Sequence, residues 1–127
     1  MESVNTSEIK IEERIAAESL VIDVEGFEGP LDVLLTLART QKVDMRKISI
    51  LQLARQYLAF VEAAKRIRLE FAADYLVMAA WLAFIKSRLL LPQDTSAGGP
   101  SGEELAAHLA FQLERLEAMR RLSLIHI

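Results

Sequence analysis

Few side chains in this sequence combine the type and spacing that covalent or metal chemistry needs. The two histidines are His108 and His126. A zinc site draws several His, Cys or carboxylate ligands from short, regular spacings. His108 has no Glu or His at such a spacing on its helical face, so it reads as a partly exposed helix residue. Cysteine is absent, which removes thiolate metal sites, a cysteine nucleophile and a disulfide framework. A phosphate loop sets its glycines between a strand and a helix, whereas Gly98-Gly99-Pro100 lies in a linker. No G-x-S-x-G turn occurs. Glu28 and Asp32 come nearest to a carboxylate pair, but an acid at a helix start ordinarily caps it or faces its positive dipole end. No catalytic, cofactor-binding or metal-binding residue is therefore assigned, and no cofactor is expected. Lys65, Arg66 and Arg68 form a basic cluster that could touch phosphates. Cations at a helix C-terminus also suit the dipole. A DNA-associated helical regulator working through this cluster is the alternative function.

The elements that would carry such side chains point to binding. With 127 residues the chain holds one domain, with room for a tail. Hydrophobic residues make up 52% and aromatics only 6%, so leucine and alanine supply the apolar mass and favour helices. Eighteen acidic against 15 basic residues, a net charge of −3, argues against non-specific nucleic-acid binding over a broad face. The first twenty residues are acidic and lack an apolar core segment, which does not fit a signal peptide.

Residues 71–91, FAADYLVMAAWLAFIKSRLLL, are the segment around which the rest is organised. Pro92 ends it. Residues 75–85 carry no charge, a run too short to span a membrane and too Ala/Leu-rich for a strand. The helix it predicts has two apolar stripes. Phe71, Tyr75, Met78, Leu82, Ile85 and Leu89 recur at steps of four and three, and so do Ala73, Val77, Ala80, Phe84, Ser87 and Leu91. The offset of two residues puts the stripes about 200° apart around the axis. A helix apolar nearly all round must be buried nearly all round. A chain this short has little to bury it with, so one stripe is expected on this chain and the other on a partner. The larger stripe, with Tyr75 and Leu82, is assigned inward. The stripe with the small residues Ala73, Ala80 and Ser87 is assigned outward. Met78 and Trp81 belong to the same helix.

In chain order, residues 1–19 are expected as a disordered or partly helical lead-in. Residues 20–25, LVIDVE, alternate and are β-branched, and so read as a short extended segment without a mate in this chain. In Phe27-Glu28-Gly29-Pro30-Leu31-Asp32, Gly29 is the N-cap and Pro30 the first residue of a helix over 30–40. That helix carries Leu31, Leu34, Leu35 and Ala38 at helical spacing. A connection over 42–47, with one turn from Asp44, leads to Ser49 and Gln52, an S-x-x-Q capping box. The stripe Ile50, Leu53, Ala54, Tyr57, Leu58, Val61, Ala64 then predicts a helix to about Arg66. Residues 93–102, QDTSAGGPSG, read as a linker. Residues 103–122 predict a fourth helix with Leu105, Leu109, Leu113, Leu116 and Met119 along one side. The tail SLIHI fits no pattern. The expected fold is all-α: a bundle of three helices, a linker, an outlying fourth helix and a short N-terminal extended segment.

Residues 21–92 resemble the N-terminal domain of the bacterial kleisin, segregation and condensation protein A (ScpA). The resemblance rests on Phe27-Glu-Gly-Pro-Leu-Asp32 leading into a leucine helix, Val43-Asp44 before Ile48-Ser49-Ile50, Asp74-Tyr-Leu-Val-Met-Ala79, and Ile85-Lys-Ser-Arg-Leu-Leu-Leu-Pro92. Residues 103–121 are similar, more loosely, to the family's middle region. The resemblance implies a non-enzymatic subunit in chromosome condensation and segregation, cytoplasmic and nucleoid-associated, touching DNA only through its complex and touching no membrane. It implies that the N-terminal domain packs on the coiled-coil neck of an SMC ATPase and the middle region on a dimer of ScpB. On this basis Ala73, Val77, Ala80, Trp81, Phe84, Ser87 and Arg88 are the expected SMC-facing residues. Leu105, Leu109, Leu113, Leu116 and Met119 are the expected ScpB-facing ones. Phe27, Gly29, Pro30, Leu31 and Asp32 are the structural motif. The family's C-terminal winged-helix domain has no counterpart here, so a truncated chain is expected, and exposed apolar stripes could pair two copies in isolation.

Overall fold

The computed structural model describes residues 11, 14–21, 23–91 and 99–125. Among the described residues there are five α-helices: α1 over residues 14–21, α2 Pro30–Arg39, α3 Ile50–Arg66, α4 Ala73–Leu90 and α5 Gly102–Ile125. Short 3₁₀ turns at Val24–Gly26 and Met45–Lys47 join them. No strand occurs among the described residues, and none of their helices is long and apolar enough to cross a membrane. The class is all-α, as the composition requires.

Local chemistry sets the ends of the helices. Ser49 caps α3 by accepting from the Gln52 N–H at 3.1 Å. The second half of the capping box comes from elsewhere. The Ser49 N–H donates to the side-chain oxygen of Gln41 at 2.9 Å, so the residues just after α2 fasten the start of α3. Gln56, buried, donates to Thr40 at 2.9 Å and closes the same small polar network. At its other end α3 finishes with Arg68 at φ 57. The Leu69 N–H reaches the Ala64 carbonyl and the Arg68 N–H the Lys65 carbonyl, both at 3.0 Å. This is a Schellman ending with arginine where glycine is usual. α4 stops at Leu90 because Leu91, ahead of Pro92, is extended.

The core is one cluster fed by every helix. Val33, Leu34, Leu35, Leu37 and Ala38 of α2 meet Leu53, Tyr57, Phe60 and Ala64 of α3, and Leu82 and Ile85 of α4. Tyr57 donates its hydroxyl to the Tyr75 carbonyl at 2.9 Å, stitching α3 to the first turn of α4. Burial holds the Tyr57 hydroxyl well above its usual pKa. Rings of Tyr57, Phe60, Phe71 and Tyr75 fill the space between these two helices.

Three expectations are corrected. Residues 20, 21 and 23–25 are not extended: Leu20 and Val21 close α1, and Val24 opens a 3₁₀ turn. Ala17, Leu20, Val21 and Val24 stand at helical spacing and all pack on the core, so tertiary burial outweighs β-propensity here. The lead-in is therefore helical over 14–21, while residues 1–10 lie outside the described ones. The fourth helix is not outlying. α5 begins at Gly102 and lies against α2, α3 and α4, with Leu109 and Leu113 buried in the common core. Leu109 and Leu113 face their own bundle, so the expected ScpB-facing stripe fails at those two positions. Leu105 and Leu116 are half-buried on the same cluster, and Met119 is exposed. Finally, Ser123–Ile125 of the tail simply continue α5. Most of the expected linker, together with His126 and Ile127, lies outside the described residues.

Candidate protein-docking face

The two stripes of α4 separate as the spacing requires. Leu82 and Ile85 are each 0% exposed, Tyr75 is buried, and Phe71, Met78 and Leu89 pack on the core. Val77 is 68%, Phe84 48% and Trp81 41% exposed. Ala73, Ala80, Ser87 and Leu91 are exposed on the same side. The helix has an inner flank held by α3 and an outer flank that nothing among the described residues covers. Small residues at 73, 80 and 87 leave the outer backbone within close reach of another helix. Large ones at 77, 81 and 84 offer anchors.

The outer flank is built as a surface. Trp81 and Phe84 stack one turn apart, with ring centroids 5.9 Å apart. The Arg88 guanidinium carbon lies 5.9 Å from the centre of the Phe84 ring. Arg88 also donates to the Pro100 carbonyl at 3.0 Å, which pins the approach to α5 beside the C-terminal end of the flank. There Gly102 meets α4 directly. A Cβ on it would stand 2.9 Å from the Arg88 carbonyl carbon and 3.0 Å from the Leu89 nitrogen. Glycine is needed for that approach. Ser101 caps the helix, accepting from the Glu104 N–H at 3.1 Å. Ser101-x-x-Glu104 is a second capping-box spacing, the signal that would have placed the start of α5 correctly.

At the other end of the flank lies the Phe27–Asp32 motif. Asp32 accepts from the Glu28 N–H at 3.0 Å and forms an ion pair with Arg120 of α5. Burial alone would raise the Asp32 pKa, but the Arg120 hydrogen bond, the Glu28 N–H and the charges of Arg120 and Arg39 outweigh it and hold the carboxyl below its usual 3.8. Asp32 is thus more than the dipole partner expected from its position: it ties α5 to α2. Glu117 adds a looser pair with Arg39 at 3.9 Å. Gly29, Pro30, Leu31, Val77, Met78, Trp81 and Leu116 line a groove of about 810 Å³ where α2, α4 and α5 meet. Phe27 stays behind it, packed on the core. The motif and the outer flank therefore form one continuous surface.

The remaining candidates stay apart from this face. Lys65, Arg66 and Arg68 are exposed at the C-terminal end of α3, where the dipole and the Schellman turn account for them. His108 is exposed on α5. Among the described residues no cluster of His and carboxylate side chains could hold a metal ion.

A family profile described as Segregation and condensation protein ScpA matches residues 37–118. A relative named Segregation and condensation protein A from Xylella fastidiosa (strain 9a5c) is 39% identical over 107 residues, covering 84% of this chain and 35% of the relative. Proteins of the same name from Coxiella burnetii and from Streptococcus equi subsp. equi are 51% and 40% identical over 79 and 102 residues. These cover 62% and 80% of this chain, and 30% and 43% of the relatives. The chain spans between 30% and 43% of the length of these curated relatives, and belongs to the segregation and condensation protein A family.

Proposed function

We propose that this chain is the SMC-binding part of a kleisin subunit acting in chromosome segregation and condensation, and that its role is architectural. The exposed outer flank of α4 carries the reading. A contiguous apolar side on a small domain marks a surface awaiting a partner. Its helical spacing of small and large residues suits a helix laid alongside, as in a bundle completed by a coiled coil. Ala73, Val77, Ala80, Trp81, Phe84, Ser87 and Arg88 are the proposed contacts with the neck of the SMC ATPase. The energy-yielding chemistry belongs to that partner.

ScpB is the second proposed partner. With Leu109 and Leu113 in the core, it is assigned to the outer side of α5, where Phe111, Met119 and Leu122 are exposed. Deleting α5 would open the core, so the informative change is Met119→Asp with Leu122→Asp, which should remove ScpB association while the helical signal is kept.

The test of the main reading is co-purification with an SMC head carrying its neck, scored against a head lacking it. Ala80→Glu should abolish retention on the first without changing the circular dichroism of the free chain. Equal retention on both heads would end the assignment to the neck.

A further inference from the structure

The groove at the N-terminal end of the outer flank carries a chemical signature that the flank itself lacks, and its meaning rests on the reading of α4 just given. Its walls are apolar, made by Pro30, Leu31, Val77, Met78, Trp81 and Leu116. Its rim holds three carboxylates, Glu28, Asp32 and Asp74, against one cation, Arg120. That cation is already engaged, because Arg120 pairs with Asp32. Glu28 is left with a 3.8 Å contact to Arg120 and a side chain that is 90% exposed. Asp74 has no ion-pair partner among the described residues. Its carboxylate lies over Gly29, 3.9 Å from where a Cβ would stand there. Among the described residues, then, Asp74 has no cation beside it and Glu28 only the more distant of the contacts of Arg120, so the mouth of the apolar groove carries an excess of negative charge.

We propose that the groove receives a lysine or arginine side chain from the partner helix seated on α4, with the aliphatic stem against Leu31 and Trp81 and the cation between Asp74 and Glu28. Charge complementarity selects this occupant. A purely apolar knob would strip water from two carboxylates and give them nothing in return. An acidic residue would be repelled. A long basic side chain satisfies both halves of the site, since its stem buries while its head stays polar. The Trp81 face adds a cation–π contact, the most favourable of the aromatic residues. Val77 and Trp81 belong to the groove and to the outer flank alike, so a helix on the flank is already positioned to deliver such a side chain. The site would fix the register of the partner helix as well as add affinity.

The experiment is a titration of the chain with a purified SMC head-and-neck fragment at low and at high salt. Glu28→Gln combined with Asp74→Asn should weaken binding about tenfold at low salt, and the gap should close at high salt as screening removes the wild-type advantage. Glu62→Gln, an exposed acid of α3, should change nothing. Trp81→Leu keeps the wall apolar and removes the ring. It should cost several-fold in affinity, and it serves as the second variant should the double one fold poorly. Full affinity in the double variant, with binding still destroyed by Ala80→Glu, would overturn the groove proposal and leave the α4 reading standing. No association of the unaltered chain with the fragment would remove the α4 reading first and this inference with it. Self-association that disappears in the double variant would assign the groove to a second copy and likewise overturn the proposal.

Discussion

The inner and outer flanks of α4 have similar apolar content and opposite surroundings. On the inner side Leu82 and Ile85 are sealed by α3 and the rest of the core. On the outer side Val77, Trp81 and Phe84 face solvent. Hydrophobicity alone does not tell these sides apart, but size does. The inner flank uses branched and aromatic residues that fill an interior at close packing. The outer flank alternates alanine and serine with large residues, a texture that leaves room for an incoming helix. One side is finished among the described residues, and the other is the side proposed to receive a partner.

Substitutions that separate stability from association test this contrast. Leu82→Ala should destabilise the chain by about 2–5 kcal/mol, the usual range for a buried leucine. Val77→Ala, five residues earlier on the outer side, should stay within about 0.5 kcal/mol. Urea denaturation of the two variants reads the difference directly, and equal costs would mean that the flanks are not distinct. Next comes Gly102→Ala, which forces a methyl against the α4 backbone. It should cost about 1–3 kcal/mol as an overpacked contact, seen as a lower melting temperature.

The ion pair that holds α5 beside the outer flank gives a pH-dependent effect. Asp32→Ala should cost about 1–3 kcal/mol by removing hydrogen bonds to a charged group. Because the folded-state pKa of Asp32 lies below the unfolded value, its contribution is full above about pH 3.8 and is lost as pH falls further. Acid titration of wild type and Asp32→Ala should therefore converge at the low end. The smallest effect has the opposite sign. Arg68→Gly relieves a left-handed arginine and should stabilise by about 0.5–1 kcal/mol, without altering partner binding through α4.

Much of this arrangement was legible from residue spacing. Ser49 and Gln52 mark the start of α3, Gly29 and Pro30 that of α2, and the two stripes of α4 lie in the spacing of its residues. What escaped was of two kinds. Some signals were present but masked by composition. Ala17, Leu20, Val21 and Val24 have helical spacing, yet LVIDVE reads as β-branched alternation. Ser101 and Glu104 form a capping box inside a run of Gly, Ser and Pro that resembles a linker. Other features are not local at all. Asp32 and Arg120 are separated by 88 positions, and no periodicity in either helix announces that pairing. For the same reason the leucines of α5 could be recognised as a stripe while their destination could not. An amphipathic helix buries one side, but its sequence does not name the surface that receives it.

The central claim is that a partner covers the outer flank, and Trp81 reports on it directly, being the only tryptophan of the chain. Its emission should be followed while a tryptophan-free SMC neck fragment is added, together with quenching by iodide. The account predicts a blue shift and loss of quenching that saturate with binding and vanish in Ala80→Glu. A complex that forms while Trp81 stays as wet and as quenchable as in the free chain would contradict it.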